Sequence, residues 1–426
     1  MNLGQLRHIP ISSLSKLFKI RVRNFYLIEK GTLSYYIFIA GVLLAYYSSL
    51  HINPLWGVEN IAMLLSMFLF VGAMLVSNSM SAPIFNRRDF LLPLLSCAIL
   101  LLYMTTLKSA PLPAYVLAVS QLVAFFAFFR LDVSLHQKAV RAICISMGVL
   151  LSVSISAYVL HIVGFQLPSR NVNYNELYYF TSYTFFLVDD RALFLFFYRF
   201  HSIFLEPGHM GTAIVLLLAT QIGKWLKWYN IVMFIALVIS FSLAAYSLFV
   251  ILIFLRLWIE RKSILPKIIS MIAVIAVAVV VATSYNQGDN PIYELIISRL
   301  EVNEEGDDIE GNNRTSMSFD AEYEDFIHSS DIFFGRTMDK TESGNAGYKV
   351  FVYDYGIIGF VLCYAFYFIS MYRVPDKRAF VSMMILSLAN FWIRAYPLWF
   401  SFYIPYYVFS YLDIKKSPKE RQADES

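Results

Sequence analysis

Uninterrupted apolar blocks alternate with short charged connectors along nearly the whole chain. The blocks fall at about 33–50, 60–77, 90–107, 114–129, 142–163, 209–223, 229–241, 244–258, 268–284, 348–372, 379–393 and 398–411. Runs of this length and polarity predict about twelve membrane-spanning helices. A transmembrane barrel would show short alternating segments, whereas Ile268 to Thr283 is apolar without a break. The expected class is therefore all-α, a polytopic membrane helical bundle. Ile231 to Ile259 is too long for one untilted span, so a tight hairpin near Ser240 to Ala245 is expected to divide it.

Charge placement supports the hairpin. With it, Arg87/Arg88, Lys138/Arg141, Lys224/Lys227, Arg256 to Lys267, Arg373 to Arg378 and Lys415/Lys416 share one side with the basic segment Met1 to Lys30. Roughly two-thirds of all Lys and Arg then face the cytoplasm, where both termini lie. Without the hairpin the last two clusters would fall outside. The N-terminal cations alternate with Leu14, Leu17, Phe18 and Ile20, the pattern of an interfacial segment, and no short apolar core with a small-residue cleavage site precedes the first block. Insertion is thus expected to begin with that block. The chain, 1–426, reads as a single integral membrane domain of inner-membrane type.

On the outer side two connectors are longer than a turn requires, at about 165–208 and 285–347. Loops of this length are usually functional or disordered. They are expected to hold short helices, for which Tyr293 to Leu300 and Phe319 to His328 have the right pattern.

Composition agrees with the pattern: 58% of residues are apolar and 15% charged. The net charge of +4 acquires meaning only once it is sorted by membrane side. Cys97, Cys144 and Cys363 lie inside apolar blocks, too scattered for a metal or redox motif. The acidic run Glu304 to Glu310 lacks the spacing of a calcium loop, and His201, Glu206 and His209 form no His-Glu-x-x-His zinc pattern. No metal or cofactor is expected. Nucleophile elbow, Walker loop and dinucleotide fingerprint are all missing, which leaves hydrolase, ATPase and oxidoreductase readings without residues.

The chemistry must then come from acids, bases and cations on the outer face. Arg199 to Gly211 places a cation, two imidazoles and a carboxylate just before an apolar helix that Pro207 is suited to open. Glu206 would sit at the positive end of that helix, where an anionic ligand could also bind. Glu206 as a helix cap and Arg199 as a snorkelling cation are the bland alternatives. Arg170, Arg191, Arg199, Arg314 and Arg336 lie in the outer loops, and arginine suits planar recognition of phosphate or carboxylate oxygens. Pairing with loop acids is the alternative for each.

Two regions carry a resemblance. One is Arg199-x-x-Ser202-x-Phe204-x-Glu206-Pro207-x-x-x-Gly211, opening a helix. The other follows the second long loop: Gly335-Arg336, then Tyr348 and Tyr353-Asp354-Tyr355-Gly356-Ile357-Ile358-Gly359. Together with the topology they resemble the O-antigen polymerase and ligase superfamily (Wzy-type). The resemblance implies a metal-independent membrane glycosyltransferase that joins undecaprenyl-diphosphate-linked oligosaccharide repeat units at the periplasmic face. Donor and acceptor glycans and the lipid bilayer are the implied partners, with a chain-length regulator and a flippase as further candidates, and no nucleic acid. The diphosphate role falls to Arg199 and Arg336, with Arg170, Arg191 and Arg314 candidates by location. Glu206 is the first candidate base and His201 the second.

Ligases of the superfamily show a His-Asn or similar pair before the second motif. Here Ser343 to Tyr348 puts Asn345 where the histidine would stand, which favours a polymerase over an O-antigen ligase. A lipid-linked oligosaccharide flippase or transporter is the rival from another class, and spans nearly devoid of charge count against it.

Overall fold

The computed structural model describes residues 30–76, 87–107, 111–129, 133–174, 178–189, 193–194, 197–260, 316–336, 347–374, 376–394 and 397–412, with scattered positions between 269 and 298. The described α-helices are α1 (Lys30–Ser48), α2 (Glu59–Val76), α3 (Arg87–Leu107), α4 (Leu112–Phe129), α5 (Val133–Ile162), α6 (Pro207–Thr220), α7 (Trp228–Ile239), α8 (Leu243–Ile259), α9 (Met317–Ile327), α10 (Gly347–Met371), α11 (Lys377–Ile393) and α12 (Phe400–Ser410). Every apolar block except 268–284 coincides with one of them. That block, the helix expected at Tyr293 to Leu300 and the basic N-terminal segment lie outside the described residues apart from single positions. Three stretches, Glu59–Val76, Leu135–Ile162 and Gly347–Met371, are long and apolar enough to cross a membrane.

Helices α6 and α12 form the centre. All of α12 and nearly all of α6 are buried, as a helix apolar on every side must be. They pack on each other, α6 also on α7 and α8, and α12 also on α5 and α11. Close approach of α6 to α8 depends on a small residue, because a Cβ on Gly211 would fall 2.3 Å from that of Ala245. Around this centre, large apolar side chains including Leu65, Phe68, Leu95, Leu102, Val361 and Phe368 point outward. A surface of that kind is suited to lipid, not water.

Helices α7 and α8 make the expected hairpin. Phe241 turns the chain with φ of 46°, Ser242 caps α8 by accepting from the Ala245 amide, and Phe234 faces Phe249 with ring centroids 5.6 Å apart. At the far end Arg256 lies over the Trp225 ring, 4.0 Å from its centroid.

The first long loop corrects the all-α expectation. Among its described residues it carries no short helix but two small antiparallel sheets. One is formed by β1 (Arg170–Tyr174), β2 (Tyr178–Ser182) and β3 (Leu187–Val188), the other by β4 (Leu193–Phe194) and β5 (Phe197–Tyr198). The cause is a period of two: Val172 and Tyr174 on β1, and Tyr178 and Phe180 on β2, pack with Trp56, Leu187 and Leu205 into a separate apolar cluster. In the second loop α9 covers the helix expected at Phe319 to His328, and the Ser316 hydroxyl caps it by accepting from the Phe319 amide.

Candidate functional site at the mouth of α6

Glu206 holds the N-cap position of α6 in an extended conformation, with Pro207 following, yet its side chain makes no capping bond. Its backbone carbonyl accepts from the amides of His209 and Met210. The carboxylate is used elsewhere. Oε2 accepts from Arg394 Nη2 at 3.2 Å, and Oε1 accepts from the Tyr178 hydroxyl at 3.2 Å.

Arg394 ends α11, where the helix dipole favours a cation. Its side chain is 10% exposed and that of Glu206 27% exposed, so the pair is largely withdrawn from solvent. Room for the guanidinium comes from Gly208, at which a Cβ would lie 2.4 Å from Arg394 Nη2. Gly347 lets the start of α10 close on the same corner, since a Cβ there would lie 2.7 Å from the Arg394 amide nitrogen. Arg394 Nε is buried with no hydrogen-bond partner among the described residues.

Burial favours the neutral form of Glu206. The neighbouring His209 imidazole and the Arg394 guanidinium, with hydrogen bonds from Arg394 and Tyr178, outweigh burial and hold the carboxyl down at about 2. At neutral pH it is an ionised counter-ion, not a group poised to accept a proton.

Aromatic and imidazole side chains complete the mouth. Tyr174 and Tyr178 face each other across β1 and β2, and while Tyr178 reaches Glu206, the Tyr174 hydroxyl lies 2.9 Å from His51 Nδ1. Trp399, just before α12, has its ring centroid 4.8 Å from that of His51 and 6.4 Å from that of His209. His209 Nδ1 is buried without a hydrogen-bond partner among the described residues. The small sheet, the loop after α1, the start of α6 and the turn between α11 and α12 thus converge on one spot. The ionic pair at its centre could exchange its carboxylate for another anion.

The other candidate residues are placed differently. His201 is buried, with Nδ1 donating to the Phe204 carbonyl at 2.6 Å and its ring against Phe180. Burial pushes its pKa down, and its packing pins the turn that leads into α6. Arg199 is half-buried, and its Nη2 donates to the Phe241 carbonyl at 2.8 Å, bracing the hairpin between α7 and α8. Arg170 is exposed at the start of β1. Arg191 and Arg314 lie outside the described residues.

Arg336 belongs to a second junction. Its Nε donates to Asp331 Oδ2 at 2.6 Å, its Nη2 to Ser329 Oγ at 3.1 Å and its amide to the Tyr353 carbonyl. The adjoining Gly335 (φ 89°) abuts the Asp354 backbone, while Gly356 (φ 66°), where α10 breaks, abuts the Phe333 backbone. Both backbone positions and both contacts exclude a Cβ. Among the described residues Arg336 pairs with Asp331 and not with Glu206. The cation that meets Glu206 is Arg394.

Arg394 was the residue missed in the sequence. Its signal was a single cation in the short outer connector between the blocks 379–393 and 398–411, followed by Pro397 and Trp399. Neither motif contains it, and its pairing spans 188 positions of chain. Comparison of the chain with protein families, with curated proteins and with solved structures finds no match.

Proposed function

We propose that the chain is a membrane glycosyltransferase that polymerises undecaprenyl-diphosphate-linked oligosaccharide repeat units, with the mouth of α6 as its donor site. The observation that carries this reading is the Glu206–Arg394 pair, a largely buried guanidinium beside a helix N-terminus and within a ring of tyrosine, tryptophan and histidine side chains. In this reading the donor diphosphate takes the place of the Glu206 carboxylate on Arg394 and lies at the positive end of α6, where the Gly208 amide is not used by the Glu206 carbonyl. The acceptor hydroxyl attacks the anomeric carbon, the bond from that carbon to the diphosphate oxygen breaks, and the lipid diphosphate leaves with the bonding pair. Fixed positive charge at the departing diphosphate is the largest contribution available.

Glu206 is assigned to orient Arg394, because a carboxyl held at about 2 is a poor match for a base at neutral pH. His209, buried against the Arg394 cation, is no better placed to gain a proton, so the acceptor proton is assigned to the departing diphosphate. The bundle supplies the membrane setting, and the charge distribution supports a reading of twelve spans with cytoplasmic termini and a periplasmic site. The test is deletion of the gene and gel analysis of surface glycan. Loss of the ladder with single lipid-core-linked units retained, restored by the wild-type chain, is the expected result. An unchanged ladder contradicts the proposal, and loss of single units as well as the ladder points to the ligase branch.

A further inference from the structure

A groove of about 700 Å³ opens between α1 and α5 at the end of the bundle opposite the predicted donor site. Tyr35 and Tyr36 line it from α1, and Leu135, Lys138, Arg141 and Ile145 from α5. Lys138 Nζ stands 5.9 Å from the Tyr35 ring centroid. Neither Lys138 nor Arg141 has a carboxylate within ion-pair distance among the described residues. Two exposed cations therefore share a groove with an exposed tyrosine and an apolar floor.

The groove does not end at the cations. Ile145, Val149, Val153 and Leu160 continue the same side of α5 as an exposed apolar stripe. From Arg141 to Ile162 the helix rises about 32 Å, close to the thickness of a hydrocarbon core, which sets Lys138 and Arg141 at headgroup depth. From Arg141 to Val153 the rise is about 18 Å, about one leaflet. Charge at the rim and apolar surface below match one molecule with an anionic head and an acyl tail.

We propose that this groove is a binding site for an anionic phospholipid, whose phosphate is held by Lys138 and Arg141 and whose acyl chain lies on the Ile145, Val149 and Val153 stripe. The site is separate from the mouth of α6, and the inference does not depend on the glycosyltransferase reading. An uncharged or zwitterionic lipid would wet the stripe but gain little from the cations. Two basic groups near the interface should favour the anionic lipid by about 30-fold at low salt, with the preference falling as salt rises.

The test uses the full-length protein in nanodiscs of phosphatidylcholine with a graded fraction of phosphatidylglycerol, and native mass spectrometry of the ejected complexes to count retained lipids. The wild type is expected to retain phosphatidylglycerol in preference to phosphatidylcholine. Lys138→Gln/Arg141→Gln should abolish the preference, while Lys138→Arg/Arg141→Lys should keep it, and both variants should melt like the wild type because the two side chains are exposed. Equal retention of both lipids by the wild type, an undiminished preference in the Gln variant, or complete displacement of the lipid by millimolar inorganic phosphate would each overturn the proposal.

Discussion

The pairing of Glu206 with Arg394 can be tested as an energetic coupling. A fall in the Glu206 pKa from 4.5 to about 2 corresponds to about 3 kcal/mol in favour of the charged form, summed over all its partners and net of burial. Only part of that belongs to Arg394. Exposed pairs contribute about 0.2–1 kcal/mol, and breaking a fully buried pair costs about 3–5 kcal/mol. With side chains 10% and 27% exposed, this pair falls between the two, and a coupling of about 1–2 kcal/mol is expected. The assay is a double-mutant cycle of Glu206→Gln, Arg394→Gln and the double variant, unfolded by detergent titration in mixed micelles at neutral pH. Glu206→Gln should be the more destabilising single change, because it strands the more deeply buried charge. The pKa of Glu206 is lowered on folding, so its contribution is complete above its ordinary value of 4.5 and is lost as pH falls toward about 2. The coupling should therefore persist at pH 6 and fade below about pH 4. A coupling indistinguishable from zero at neutral pH, or one unchanged at pH 3, would refute the pairing.

Three further substitutions probe the same frame. Gly208→Ala would place a Cβ 2.4 Å from the Arg394 nitrogen that pairs with Glu206, so it should insert normally, lose glycan polymer and be destabilised by no more than the pair's coupling of about 1–2 kcal/mol. Gly356→Ala meets the Phe333 backbone at 2.3 Å from a left-handed conformation, and should lower stability by about 2 kcal/mol or more, read as an earlier detergent midpoint. Arg336→Ala removes the bonds to Asp331 and Ser329, and should speed amide exchange through residues 329–336 and lower polymer yield without displacing Arg394 from Glu206.

Most helices could be read from the sequence because an apolar run of their length has few other uses. The α7–α8 hairpin could also be read, from the length of the run Ile231 to Ile259 and from charge placement, and Phe234 and Phe249 lie side by side on its two arms. The sheet in the first loop was missed because its tyrosines also suit an interfacial belt, and the alternation of Val172, Tyr174, Tyr178 and Phe180 is short. Glu206 stood out as a carboxylate at a helix mouth, but nothing local revealed its partner. Arg394 reaches it only through the packing of α6, α8 and α11, which Gly208 and Gly211 permit. Conversely, Gly335-Arg336 and Tyr353 to Gly356 stand out as a motif, and in the structure their glycines join a turn to the break in α10.

We propose that Arg394, kept in place by Glu206 until the donor displaces the carboxylate, binds and stabilises the departing diphosphate. Purified full-length protein supplied with lipid-linked repeat units should form polymer in vitro, Arg394→Ala should form none at native folding, and Arg394→Lys should recover only part because it keeps the charge without the planar fork. Wild-type polymer yield from Arg394→Ala would contradict the claim.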